Sequence, residues 1–145
     1  MTDTALRLIA RDPTLWPSAE QEERVRNILA TLGRDAIMRF EDAIAFIDSG
    51  GNWEGVFCPT CGDDAEGWWA DAMAAAAADH FQNLVATTPC CNTATSLNDL
   101  VYKPPAGFAR FVIEIRDPST APPPDMMRAL EVALGHPLRL VWFHI

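Results

Sequence analysis

The chain has 145 residues, the usual size of a single folded domain, and 49% of them are hydrophobic while 21% are charged. A chain of this length buries about two-thirds of the surface of its unfolded state, so its fold does not depend on cysteine cross-links. The net charge of −9 disfavours nucleic acid and anionic membranes as partners, because both are bound through clustered Lys and Arg. It is compatible with a basic protein partner.

The first residues of the chain lack the pattern of a targeting segment. Asp3 places an acid at the start, the apolar run after it is short, and no stretch approaches the roughly 20 apolar residues of a membrane span. We therefore expect a cytoplasmic protein. Clustered cysteines in the reducing cytosol are more often metal ligands or catalytic thiols than disulfides.

The N-terminal part predicts one helix. Residues 1–17 form an apolar lead-in with one helical turn, which two prolines interrupt. A capping-box pattern begins at Ser18, and apolar residues follow at helical spacing up to Gly33. These features predict a helix over residues 19–32, which we assign to an N-terminal helical extension of residues 1–35.

The remaining chain predicts an α+β core over residues 43–145, within a single domain of residues 1–145. With one extra strand left aside, its elements follow the order strand, helix, strand, strand, helix, strand, which is the ferredoxin-like split βαβ pattern of a mostly antiparallel sheet with helices on one face. The last strand is apolar on both faces, which predicts a central position. The predicted strands are 37–41, 43–48, 84–88, 93–102, 108–115 and 138–145, and the predicted helices are 63–81 and 125–134.

All four cysteines lie in two short clusters, Cys58-Pro59-Thr60-Cys61-Gly62 and Thr88-Pro89-Cys90-Cys91-Asn92. A Cys-x-x-Cys loop brings two thiolates close together, and two such corners supply the four soft ligands of tetrahedral zinc. The sequence therefore predicts one Zn²⁺ per chain, bound by Cys58, Cys61, Cys90 and Cys91, at one end of the sheet. Neighbouring residues of an extended chain point in opposite directions, so this ligand set requires a turn at Pro89.

A variant of this site would use three cysteines and His80. This histidine follows Trp69, Met73 and Ala76 on one stripe of the second predicted helix. Such a stripe is typical of a hydrophobic core, and a single histidine on it is more often a core residue than a ligand.

The segment Cys58–Gly62 resembles the zinc knuckle of zinc-ribbon proteins, in which the second knuckle is usually another Cys-x-x-Cys. Together with the Trp68-Trp69 helix, the second cysteine cluster and the run Ser96–Leu100, it makes residues 45–145 similar to small uncharacterised bacterial proteins. This resemblance implies a zinc site and implies no activity.

A thiol redox protein is the alternative hypothesis. The order of a strand, Cys58-Pro59-Thr60-Cys61 and a helix also resembles a thioredoxin or glutaredoxin active site, in which the helix N-terminus lowers the pKa of the first thiol. Thr88-Pro89 is similar to the proline-containing strand start of that family. Gly62, the short intervening segment and the two further cysteines depart from its pattern.

The cysteine pattern favours a structural role over catalysis. A catalytic zinc keeps one coordination position open to water, and four cysteine ligands would close it. The sequence therefore predicts a small zinc-binding domain without a catalytic site, which acts as a protein-interaction module. The thiol redox protein and a set of four incidental thiols stay open as alternatives.

Overall fold

The computed structural model describes residues 4–33, 35–116, 118 and 120–145. Within these ranges the fold is mixed α/β, with three α-helices and antiparallel sheets. The helices are α1 (Ala19–Ala30), α2 (Glu66–Ala77) and α3 (Pro124–Leu134). The strands are β1 (Thr4–Ala10), β2 (Ala36–Ile47), β3 (Gly55–Phe57), β4 (Val85–Thr87), β5 (Ala94–Ser96), β6 (Val101–Lys103), β7 (Gly107–Arg116) and β8 (Leu138–His144).

The main sheet has four antiparallel strands in the order β2-β7-β1-β8. Strand β1 is central, and its Leu6, Leu8 and Ile9 are fully buried. The sequence analysis assigned these residues to a lead-in with a helical turn, and the structure corrects this. Leu6 and Leu8 alternate with Arg7, which is the period of a strand, but every partner of that strand lies more than 90 residues later in the chain.

Helices α1 and α3 pack on one face of this sheet. Val25 and Leu29 from α1 and Leu130 and Leu134 from α3 share a buried cluster with Leu8 and its neighbours on the sheet. The capping box that begins α1 is formed as predicted, with reciprocal hydrogen bonds between Ser18 and Gln21. Residues 4–30 therefore belong to the same core as β7 and β8, and do not form an extension outside it.

Strands β2 and β8 also differ from their predictions. The region predicted as two strands, 37–41 and 43–48, is the single strand β2, whose pairing with β7 shifts register between Phe40 and Ala45. Such a bulge bends the strand and breaks its sequence periodicity. Strand β8 lies at an edge of the sheet, although both of its faces are apolar. Its outer face is covered in part by Arg7, whose guanidinium lies 4.1 Å from the Phe143 ring.

Residues 48–106, which we call the inserted unit, leave the main sheet after β2 and return at β7. Strand β3 pairs with β6, β4 pairs with β5, and α2 lies between β3 and β4 in the chain. The predicted strand 93–102 is interrupted by a 3₁₀ turn over Leu97–Asp99. As predicted, Trp69, Met73 and Ala76 of α2 pack in a core, around Val56, Leu97 and Phe108.

Aromatic rings join the inserted unit to the main sheet. The centre of this cluster is Phe46 of β2, whose ring lies 5.0 Å from Phe108, 5.5 Å from Tyr102 and 5.7 Å from Trp69. The Tyr102 hydroxyl accepts a hydrogen bond from Trp69 and donates one to the carbonyl of Leu97. Burial raises the pKa of Tyr102 to about 12, because the charged phenolate would be poorly solvated there.

Buried Asn98 forms a second link between the two parts. Its amide nitrogen donates to the carbonyl of Arg11 at 2.7 Å, and its Oδ1 accepts from the N–H of Phe108 at 3.1 Å. Arg139 also donates to the carbonyl and the Oδ1 of Asn98, and to the carbonyl of Ala106 at 2.7 Å. The inserted unit is thus fixed to β7 and β8 by side chains as well as by chain connections.

In the part of the chain that the structure describes, no helix combines the length and the apolar character that crossing a membrane requires.

Candidate metal centre

The first cysteine cluster is a tight turn at the end of β3. The N–H of Cys58 donates to the carbonyl of Asp63 at 2.8 Å, and the N–H of Gly62 donates back to the carbonyl of Cys58 at 3.0 Å. Gly62 has a φ of 79°, a conformation that glycine adopts at low cost. This backbone places Cys58 and Cys61 on the same side of the turn.

The second cluster forms the same turn at the end of β4. The N–H of Thr88 donates to the carbonyl of Thr93 at 2.9 Å, and the N–H of Asn92 donates to the carbonyl of Thr88 at 2.6 Å. Asn92, in the position of Gly62, has a φ of 53°, which asparagine tolerates better than most residues. Cys91 therefore corresponds to Cys61, and Thr88 corresponds to the first cysteine of the other turn.

The two turns bring the four predicted ligand residues together. The sulfur atoms of Cys58, Cys61, Cys90 and Cys91 all lie within 4.8 Å of one another. The Sγ atoms of Cys58 and Cys91 are 3.7 Å apart, and those of Cys61 and Cys90 are 3.3 Å apart. A tetrahedral ion with metal–sulfur bonds of about 2.3 Å has sulfur–sulfur edges of about 3.8 Å. The cluster could therefore hold a metal ion.

Two threonine hydroxyls surround the sulfur of Cys91. Thr88 Oγ1 lies 3.2 Å and Thr93 Oγ1 lies 3.4 Å from this Sγ atom. The Thr88 hydroxyl oxygen also accepts the N–H of Thr93 at 3.0 Å. Thr88 is fully buried, so its hydroxyl fills the place next to the cluster that a first cysteine would occupy in a repeated Cys-x-x-Cys. Such outer partners orient and tune metal ligands.

Without a cation between them, the thiols shift one another's pKa values. Hydrogen bonds from the backbone N–H groups of Cys61 and Thr60 lower the pKa of Cys58 to about 6. The pKa of Cys90 is raised to about 12, first by its hydrogen bond with Cys61. The hydroxyls of Thr88 and Thr93 lower the pKa of Cys91. Several thiolates this close repel one another, and a cation between them would remove that repulsion.

The four cysteines differ in exposure. Cys58 is buried, with 1% of its surface exposed, and Cys91 is half-buried, whereas Cys61 and Cys90 face solvent. The site therefore has an inner side, where Cys58 and Cys91 meet, and an outer side formed by Cys61 and Cys90.

His80 lies elsewhere. In the described part of the chain, the group of side chains with metal-binding spacing contains the four cysteines and not this histidine. Helix α2 ends at Ala77, and His80 follows in a turn with a φ of 61°, where it lines a cavity with Arg110. The apolar stripe predicted on this helix therefore ends at Ala76 and does not include His80.

The start of α2 bears on the thiol redox alternative. The helix begins at Glu66, after the turn has closed with the hydrogen bond between Cys58 and Asp63. Cys58 is thus not at a helix N-terminus. The lowering of its pKa comes from the N–H groups of the turn instead.

Sequence reasoning did not identify Thr88 and Thr93 as partners of a thiolate. The signal that could have identified them is a spacing that both clusters share. In each cluster a proline is followed two positions later by a cysteine, and then by a residue suited to positive φ. This repeat is incomplete, because the second cluster carries Thr88 where the first carries Cys58. The sequence matches no protein-family model, no curated protein and no solved structure.

Proposed function

We propose that this protein is a small zinc-binding domain whose metal site is structural. Cys58, Cys61, Cys90 and Cys91 bind one Zn²⁺, in a site of the zinc-knuckle type. The observation that carries this proposal is that two turns with the same backbone hydrogen bonds direct four sulfur atoms into one cluster. Four sulfur donors at tetrahedral spacing are the set that zinc prefers.

The structural role follows from the number of ligands. Four cysteines leave no open coordination position for water or substrate, so the site has no place for metal-assisted hydrolysis. When bound, the ion supplies a cross-link between the two turns. Binding then contributes directly to folding free energy, because the unfolded chain does not hold the four ligands together. The core around Val56 and Leu97 would be stabilised by this cross-link.

Elemental analysis tests the metal directly. Untagged protein purified without chelator should contain one zinc per chain and four thiols that titrate in denaturant without prior reduction. Iron in place of zinc would keep the ligand set and change the metal, since four thiolates also suit iron. A well-folded protein without metal, whose melting temperature does not change with a chelator, would refute the proposal.

We also infer that the main sheet is of the ferredoxin-like split βαβ type. The inference is supported by the order β1-α1-β2 followed by β7-α3-β8, with β7 lying between β1 and β2. On this assignment the elements of the fold begin at β1 rather than at residue 43. The zinc-binding unit is then an insertion between the second and third strands of that fold, and the sheet supports it.

A protein partner completes the proposal. The inserted unit contains eight Asp or Glu residues and one Lys, so it carries −7 of the net charge of −9. This asymmetry suits a basic protein surface, which it would attract in a salt-dependent way. A partner should be retained by the wild-type protein and released by the double variant Asp63→Asn/Asp71→Asn. Both side chains are exposed and make no hydrogen bond with other described residues.

The thiol redox alternative makes a different prediction. It requires an accessible Cys58 of low pKa, and the structure buries this side chain. In folded protein shown to be free of metal, alkylation of Cys61 and Cys90 should be faster than alkylation of Cys58. Rapid alkylation of Cys58 with ready formation of a Cys58–Cys61 disulfide would favour the redox function instead.

A further inference from the structure

A cavity of about 550 Å³ lies where the inserted unit meets the main sheet. Three segments that are distant in sequence form its walls: the loop after β1, the bulge of β2, and the turn after α2. Arg110 of β7 also lines the cavity. Its volume is within the usual range for small-molecule sites. The lining residues are Thr14, Asp42, Ala43, Ile44, His80, Gln82 and Arg110.

The guanidinium of Arg110 is held in place, but not all of its N–H donors have a partner. Its guanidinium lies over the Trp16 ring, 4.6 Å from the centroid, and its Nη2 donates to the carbonyl of Asp42 at 3.1 Å. Its Nε is buried and has no hydrogen-bond partner among the described residues. A guanidinium has five N–H donors and no acceptor, and leaving a buried donor unpaired is costly. The wall of the cavity therefore contains a fixed cation, one of whose donors is unpaired.

Asp42 brings the opposite charge to the same cavity. Its carbonyl is used by Arg110, whereas its carboxylate makes no hydrogen bond or ion pair with any other described residue. Ala43 and Ile44 provide an apolar wall beside it, and His80 and Gln82 provide polar groups from the inserted unit. The bulge between Phe40 and Ala45 is what turns this part of β2 toward the cavity.

We propose that this cavity binds a small zwitterion of the α-amino acid class with an aliphatic side chain. The ligand's carboxylate pairs with Arg110, its ammonium group pairs with Asp42, and its side chain lies against Ala43 and Ile44. A simple anion is disfavoured, because it would face the carboxylate of Asp42 and the field of a chain with a net charge of −9. A simple cation would leave the donors of Arg110 unpaired.

Calorimetric titration of the metal-loaded protein with L-leucine tests the site, with L-leucinamide and N-acetyl-L-leucine as probes that lack one charge each. L-leucine should bind in the millimolar range or tighter, and each of the other two should bind at least about tenfold more weakly, as expected for loss of a charge-assisted contact. The Nε–H resonance of Arg110 should shift on addition of L-leucine. Each remaining neutral amino acid, titrated in turn, defines the preferred side chain.

Two variants locate the binding. Arg110→Gln and Asp42→Asn should each lower the affinity at least about tenfold, whereas Arg128→Gln should leave it unchanged. Arg128 is an exposed arginine of α3 that pairs with Asp125. Asp42 is exposed, and Asp42→Asn keeps the backbone carbonyl that accepts the hydrogen bond from Arg110. This variant therefore decides the question even where Arg110→Gln does not fold. Three results would each overturn the proposal. In the first, no neutral amino acid binds the wild-type protein; in the second, L-leucine, L-leucinamide and N-acetyl-L-leucine bind equally well. In the third, Asp42→Asn binds L-leucine like wild type.

Discussion

Thr88 occupies in the second turn the position that Cys58 occupies in the first. Both residues accept the N–H of the residue four positions later and donate their own N–H to the carbonyl of the residue five positions later. The hydroxyl of Thr88 lies 3.2 Å from the sulfur of Cys91, beside the cluster. The second turn therefore supplies its additional sulfur from its third position, Cys90, and not from its first.

This relationship predicts that a ligand can be moved within the turn. Cys90→Ala should lower zinc affinity about 100-fold, since a structural zinc site of about 10–16 kcal/mol is shared by four ligands. Adding Thr88→Cys to Cys90→Ala creates a Cys-x-x-Cys that matches the first turn, and should restore affinity to within about tenfold of wild type. Competition with a chromophoric chelator measures all three affinities.

Thr60 provides the matched control for this experiment. In the first turn it occupies the position that Cys90 occupies in the second. Its side chain is exposed and makes no hydrogen bond with another described residue. Thr60→Ala should therefore bind zinc like wild type. If the double variant binds no better than Cys90→Ala, the two turns are not equivalent in the way that their backbones indicate.

Metal removal should act first on the inserted unit. Its core around Val56 and Leu97 is distinct from the core that the main sheet forms with α1 and α3, and the cysteine cluster lies on the inserted unit. We expect chelation to increase hydrogen exchange in β3–β6 while β1 and β7 stay protected, because local stability follows the local core. Mass-spectrometric exchange with and without chelator, repeated on a Cys58→Ser variant, checks this. Equal loss of protection in both parts would mean that they unfold as one unit.

The features that the sequence predicts well depend on neighbouring residues. The capping box of Ser18 and Gln21 and the glycine that ends α3 at Gly135 are read within one or two turns of chain, and both are present in the structure. The cysteine clusters likewise indicate two tight turns without knowledge of the fold. The structure brings their sulfur atoms together as the four-ligand hypothesis requires.

The features that the sequence does not predict depend on distant partners. Strand β1 has seven residues, and it is central only because β7 and β8 pair with its two edges. The position of β8 at an edge is set by the same pairing and not by its own apolar pattern. Asn98 lies within the predicted strand 93–102, and no local signal shows that its amide reaches Arg11.

Asn98 should be important for stability rather than for chemistry. Asn98→Ala removes the donor to Arg11 and the acceptor for Phe108, which leaves the buried N–H of Phe108 and the carbonyl of Arg11 without their partner. We expect a loss of about 2–4 kcal/mol in unfolding free energy, measured by urea denaturation. Asn27→Ala, an exposed change on α1, should alter stability by less than about 0.5 kcal/mol. A similarly small effect at Asn98 would show that this link does not hold the two parts together.

Glu114 is the centre of a charged network on the face of the sheet opposite α1 and α3. Its Oε1 accepts hydrogen bonds from Arg39 at 3.0 Å and from Arg7 at 3.2 Å, and its Oε2 contacts Arg116 at 3.5 Å. Burial raises the pKa of this carboxyl, but the hydrogen bonds and charges of Arg39 and Arg7 outweigh burial, so the pKa lies below its usual value. Folding therefore favours the ionised form of Glu114.

This shift predicts a specific pH dependence. A carboxyl whose pKa is lower in the folded state stabilises the protein above its unfolded pKa of about 4.3, and this stabilisation is lost as the pH falls through the folded value. Glu114→Gln should therefore cost about 1–3 kcal/mol at pH 7 and show a flatter decline of stability in acid than wild type. Glu23→Gln, which removes one exposed ion pair with Arg26, should cost less than about 1 kcal/mol. Urea denaturation from pH 7 down to acid measures both, and parallel acid profiles for wild type and Glu114→Gln would exclude Glu114 as the source of the pH dependence.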